Sequence, residues 1–149
     1  MKLVFLVLLV SASIVAAASD QILTPRNSDD ILDHLEGNNQ NIYLLFFAAS
    51  SPYEEVAHRN NKEIEEGLKS IITDNPEIYY ARIDHSNPNF QKLIQVTEVH
   101  HAPSVFLMVH GQGVWIYEGT SELILERLRE FLPQFKEAAS HKTAPYQLE

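Results

Sequence analysis

The sequence contains no cysteine. That excludes thiolate nucleophiles, Cys-ligated zinc and iron–sulfur clusters. It also excludes the disulfides on which small secreted domains often depend, so any core must hold by packing. Positive charge is scarce: 11 Lys and Arg stand against 20 Asp and Glu, for a formal net charge of -9. Residues 1–18 carry Lys2 and no acid, so the remainder is more negative still. Such a chain lacks the basic surface that phosphates require, and no nucleic-acid partner is expected. The same balance disfavours adhesion to anionic lipid. There is no N-x-S/T sequon, EF-hand loop, P-loop or dinucleotide fingerprint, and no internal repeat.

What is present suits one globular domain behind a leader. The chain has 149 residues, 45% of them hydrophobic. Met1-Lys2 is a short positive start, Leu3 to Val10 is an unbroken apolar run, and Ser11 to Ala18 continues it with smaller residues. Ala16-Ala17-Ala18 offers a small-residue cleavage site, which is the pattern of a signal peptide. The run is slightly short of the roughly 20 residues that span a bilayer. Residues 1–18 therefore read as a signal peptide or an N-terminal membrane anchor, with membrane contact through residues 3–18 in the second case. Either places the protein in the secretory pathway: the endoplasmic reticulum lumen, the exterior, or a membrane if the leader stays. No KDEL-type signal occurs in Tyr146-Gln147-Leu148-Glu149.

The expected domain spans 19–137, with a flexible tail at 138–149. Ile22-Leu23 reads as a short edge strand before Pro25. Ser28 is placed to cap a helix that begins Asp29-Asp30, and Gly37-Asn38-Asn39 to end it. Ile42 to Phe47 is apolar without alternation, as in a strand buried on both faces. Ser51, Pro52 and Glu54 form a capping box for a helix running towards Ile72, with Ala57, Ile64, Leu68 and Ile71 on one side. Asn75-Pro76 breaks the chain before a strand from Ile78 to Asp84. Asn87-Pro88 opens a short helix carrying Phe90, Leu93 and Ile94. A strand from Ser104 to His110, a turn at Gly111-Gln112-Gly113 and a strand from Val114 to Tyr117 form a hairpin. A helix from Ser121 to Phe135 follows, with Leu123, Ile124, Leu128, Phe131 and Leu132 inward. Parallel βαβ units come first and an antiparallel hairpin near the end, giving an α/β class with a mixed sheet flanked by helices.

Three segments, in order and at suitable spacing, resemble the thioredoxin superfamily over about Gln21 to Phe135. Phe46 to Glu54 aligns without gaps on the pattern F-[WY]-A-x-W-C-x-x-C. Ala102-Pro103-Ser104 resembles the loop that carries the family's cis-proline. Gly111 through Val114 to Gly119 resembles the terminal hairpin and the glycine before the last helix. The resemblance implies a thioredoxin-like fold, a cis Pro103 and an extended-peptide surface beside it. It places the two redox cysteines on Ser51 and Glu54, the tryptophan before them on Ser50 and the buried proton-relay acid on Leu45. Nucleophile, resolving thiol and relay are all replaced. The chain therefore looks like a redox-inactive domain similar to those of protein disulfide isomerases, and is not expected to be an enzyme. Ser51, Tyr53, Ala102 and Pro103 are the candidate protein- or peptide-binding residues.

Other constellations carry less. His100 and His101 are adjacent on an extended segment and point to opposite sides, so no shared metal is expected. Neither a metal nor any other cofactor is expected. Glu63, Glu65 and Glu66 with Lys62 and Lys69 read as a solvated helix face. Trp115 and Tyr117 share one face of a strand. Two functions fit. One is an accessory subunit or scaffold making protein contacts in a larger, membrane-associated assembly. The other is a free lumenal or secreted chaperone-like module that binds extended peptides beside Pro103. A glutathione-transferase-like or peroxidase-like enzyme of this fold is not expected, since the sequence shows neither a helical second domain nor a peroxidatic cysteine.

Overall fold

The computed structural model describes residues 21–36, 40–49, 55–117 and 119–141. The leader at 1–18, the helix stop at 37–39, the capping box at 51–54 and the residues from 142 onward lie outside them. The elements are α1 (Ser28–Leu35), β1 (Ile42–Ala48), α2 (Glu55–Asp74), β2 (Ile78–Asp84), a 3-10 turn (Pro88–Phe90) leading into α3 (Gln91–Thr97), β3 (Ser104–Val109), β4 (Gln112–Ile116) and α4 (Ser121–Ala139). The strands lie in the order β2-β1-β3-β4. β1 is parallel to β2 and antiparallel to β3, and β3 is antiparallel to β4.

The uninterrupted apolar run follows from this position. β1 lies inside the sheet, and all seven of its residues are buried. Leu44 and Phe46 face Ile64 and Leu68 of α2 and Ile124 and Leu128 of α4. Tyr43, Leu45 and Phe47 face Ile31 and Leu32 of α1 and Leu93 of α3. A charged side chain in place of Leu44, Leu45, Phe46 or Phe47 would be set among apolar side chains of one core or the other. Gly67 lets α2 and α4 come together, since a Cβ there would stand 2.3 Å from a Leu125 methyl.

Polar side chains fasten the ends of these elements. Gln21 is buried, and its Nε2 donates towards the carbonyls of Ile72 (3.2 Å), Asn75 (2.9 Å) and Ile78 (3.1 Å). It joins the first described residue to the end of α2, where helical carbonyls lose their ladder partners. Next to it, Ile22 makes a parallel bridge to Tyr80. Asn61 is buried in α2; it accepts from Ala49 N (3.1 Å) and donates to Ala49 O (2.7 Å), closing the chain just after β1. Both of these contacts bridge distant stretches of sequence, so no local pattern announces them.

Three expectations are corrected. Ser28 does not cap α1: Asn27 does, accepting from Asp30 N at 3.1 Å. Ser28 Oγ instead donates to Asn89 O and accepts from Leu93 N, which caps the first turn of α3 from another element. The hairpin turn is His110-Gly111, not Gly111-Gln112-Gly113. Val109 pairs with Gln112, and both turn residues have positive φ, 52° and 74°, as a two-residue type I′ turn requires. The last helix continues past Phe135 to Ala139 because Ala138 packs in the core. Gln40 donates to the carbonyls of Ala139 and His141, and His110 Nε2 lies 3.0 Å from Ala138 O.

Candidate functional site

Of the residues singled out from the sequence, Ser51, Tyr53 and Glu54 lie outside the described residues. Ala102 and Pro103 are half-buried, and the peptide bond between them is cis. They form the approach to β3, whose first residue, Ser104, pairs with Phe47 of β1. Leu45, where the resemblance sets a buried acid, is fully buried in the apolar layer with α1 and α3.

Four rings gather beside the proline. The β3–β4 pairing brings Ile116 level with Val105, and one further step along each strand carries Tyr117 towards Ser104 and Pro103. Tyr117 stacks on His101 with ring centres 4.8 Å apart and planes 12° apart. Its other neighbour is Trp115, at 4.3 Å and 27°. His100 meets Trp115 edge-on at 6.5 Å. Such pairs contribute about 0.5–1.5 kcal/mol each beyond their buried area. Tyr117 and Trp115 are half-buried, and His100 and His101 are exposed. The cluster is therefore packed on itself and partly open to the outside. Among the described residues, no three His, Asp or Glu side chains converge as a metal would require.

Between this loop and the helices lies a cavity of about 210 Å³, lined among others by Asn60, His101, Pro103, Tyr117 and Ser121. α4 begins there. Thr120 caps it by accepting from Leu123 N at 3.2 Å. Ser121 is buried and its Oγ has no hydrogen-bond partner; Ser104 Oγ is also buried and unpartnered. On α2, one turn before Asn60, Val56 is 57% exposed. Sequence reasoning missed Asn60 and Ser121; the only local signal was the Gly119-Thr120 helix start.

A larger cavity, about 570 Å³, lies at the outer edge of β2, against Ile22, Ile72, Tyr80 and the Glu65–Arg82 ion pair. Burial, reinforced by Glu65 and opposed by Arg82, pushes the Tyr80 phenol above its ordinary range. That cavity shares α2 with the one beside the cis-proline loop but none of its lining residues.

The parallel β1–β2 pair, the antiparallel β3–β4 hairpin and the cis-proline between them are arranged as in thioredoxins. The chain has a thioredoxin-like fold without a thiol. Thioredoxin from Fasciola hepatica superposes with a TM-score of 0.59 at 15% identity, covering 78% of this chain and 99% of that one. Thioredoxin from Trypanosoma brucei brucei gives 0.56 at 13% identity, with 75% and 91% covered. The first thioredoxin domain of mouse protein disulfide-isomerase A4 gives 0.55 at 21% identity, with 86% and 79% covered. No protein-family model matches the sequence, and no curated protein matches it.

Proposed function

We propose that this chain is a non-catalytic thioredoxin-fold module that makes protein–protein contacts, as an accessory subunit or scaffold of a larger, membrane-associated assembly. The observation that carries this reading is the ring cluster of His101, Tyr117 and Trp115 beside Pro103, in a chain with no cysteine. Aromatic rings held in place and half-open to solvent supply contact area at little entropic cost. With no thiol, the fold keeps the recognition side of its relatives' architecture and loses the chemistry. The apolar residues 3–18 support a place on or behind a membrane of the secretory pathway, as a retained anchor or a cleaved leader.

The test is native extraction in mild detergent, followed by measurement of the size at which the protein migrates. A large, discrete species is expected. Migration as a single chain would overturn the accessory-subunit reading. It would leave the second reading, a free lumenal or secreted module that binds extended peptides, which the cavity beside Pro103 favours.

A further inference from the structure

We infer that the cavity between the cis-proline loop and the start of α4 is a subsite for a carboxylate group, supplied by a protein partner as a chain end or an acidic side chain. The inference rests on the reading of this face as a protein-contact surface and names the chemistry that one part of it selects.

Four observations carry it. The first is Ser121, which lines the cavity. It is 7% exposed, and its Oγ has no partner. A buried hydroxyl without a partner is costly and is expected to have one in the functional state. Second, Ser121 is the first residue of a 19-residue helix. The Thr120 hydroxyl takes Leu123 N and the Thr120 carbonyl takes Ile124 N, so the amides of Ser121 and Glu122 remain outside the helix's own ladder. Amides at a helix start favour a negative group. Third, the other polar groups on the described lining are the Asn60 amide, the His101 imidazole and the Tyr117 hydroxyl; none is an acid. Glu122 belongs to the exposed side of the helix. Fourth, about 210 Å³ is room for roughly seven waters at about 30 Å³ each, below the roughly 300 Å³ where small-molecule sites begin. It suits one headgroup and a few carbons. The rings of His101 and Tyr117 line it and can cover the apolar part of whatever leads in.

The experiment is an amide-resolved NMR titration of the full chain in mild detergent with three probes: N-acetyl-Val-Ala with a free C-terminal carboxylate, the same peptide amidated, and N-acetyl-Glu-amide. Saturable shifts at Ser121, Glu122 and the Asn60 side chain are expected with at least one carboxylate probe, and none with the amidated peptide. The carboxylate that binds more tightly identifies the source, chain end or side chain. Ser121→Ala should weaken binding at least fivefold. Asn60→Asp, at a half-exposed site, should abolish it by repulsion. Ser104→Ala removes an equally orphaned hydroxyl that is not among the cavity's lining residues and should leave binding unchanged. Equal shifts with the amidated peptide, no saturation with either carboxylate, or Ser121→Ala and Asn60→Asp binding as the parent would overturn the inference. If binding is absent while the protein still migrates in a discrete complex, the inference alone fails. Migration as a single chain with binding intact removes the assembly and leaves the subsite.

Discussion

The two helices that pack on one face of the sheet end differently. At the C-terminus of α2, carbonyls of the last turns find side-chain partners: Gln21 reaches Ile72 O, Asn75 Nδ2 donates to Ile71 O, and the Thr73 hydroxyl donates to Lys69 O. At the N-terminus of α4, beside the cis-proline, a buried serine hydroxyl has none. Both regions are built from side chains of ordinary size in a packed core, so the difference is not one of space alone. The first region completes itself within the chain. The second is left open where the rings of His101 and Tyr117 form a rim. An unmet polar group that, unlike Ser104 Oγ and His110 Nδ1, belongs to a residue lining this cavity marks where an outside partner has something to add.

Breaking the completed contacts should cost most. Asn61→Ala strands both polar groups of Ala49 next to β1 and should destabilise the protein by about 3 kcal/mol, read as a lower denaturation midpoint at unchanged slope. Gln21→Ala removes the donor to the carbonyls of Ile72, Asn75 and Ile78 and should cost about 2 kcal/mol, with faster hydrogen exchange in the last turn of α2. Ser28→Ala removes the cap that α1 lends to α3 and should cost about 1 kcal/mol, seen as a drop in thermal midpoint. The open end should respond in the opposite direction. Ser121→Ala deletes an unmet hydroxyl and should stabilise the free protein by about 1 kcal/mol while weakening carboxylate binding; a loss of stability in calorimetry would mean that the hydroxyl already has a partner. Smallest at neutral pH is Tyr80→Phe. Because the folded state favours the neutral phenol, that contribution is complete below about pH 10 and is lost as pH climbs towards the raised folded value. Alkaline melts of the variant should show less loss above pH 10 than the parent.

The same contrast explains how far the sequence could be read. Strand β1 and the helices α2 and α4 were legible because burial writes itself into apolar spacing, and the cis-proline loop because a short pattern resembles a known one. Errors fell where distant residues intervene. Ser28 has every local qualification for a cap, yet Asn89 and Leu93 claim its hydroxyl, and Asn27 takes over. The hairpin turns at His110, a residue type less expected at positive φ than the glycines after it. α4 extends to Ala139 because Ala138 packs in the core, and Gln40, about a hundred positions away, donates to the carbonyls of Ala139 and His141. At the site, Ala102 and Pro103 were named from the pattern. Asn60 and Ser121 were not, since an amide in a polar stretch of helix and a serine at a helix start look ordinary until the fold sets them around one cavity.

The most direct test of the account is the native size of the full-length protein carrying His101→Ala and Tyr117→Ala, compared with the parent after the same mild extraction. The parent is expected to migrate in a discrete complex. The double variant, folded by its far-ultraviolet spectrum, should migrate as a single chain, because the rim beside Pro103 makes the contact. A double variant that stays in the complex at parental yield would contradict it.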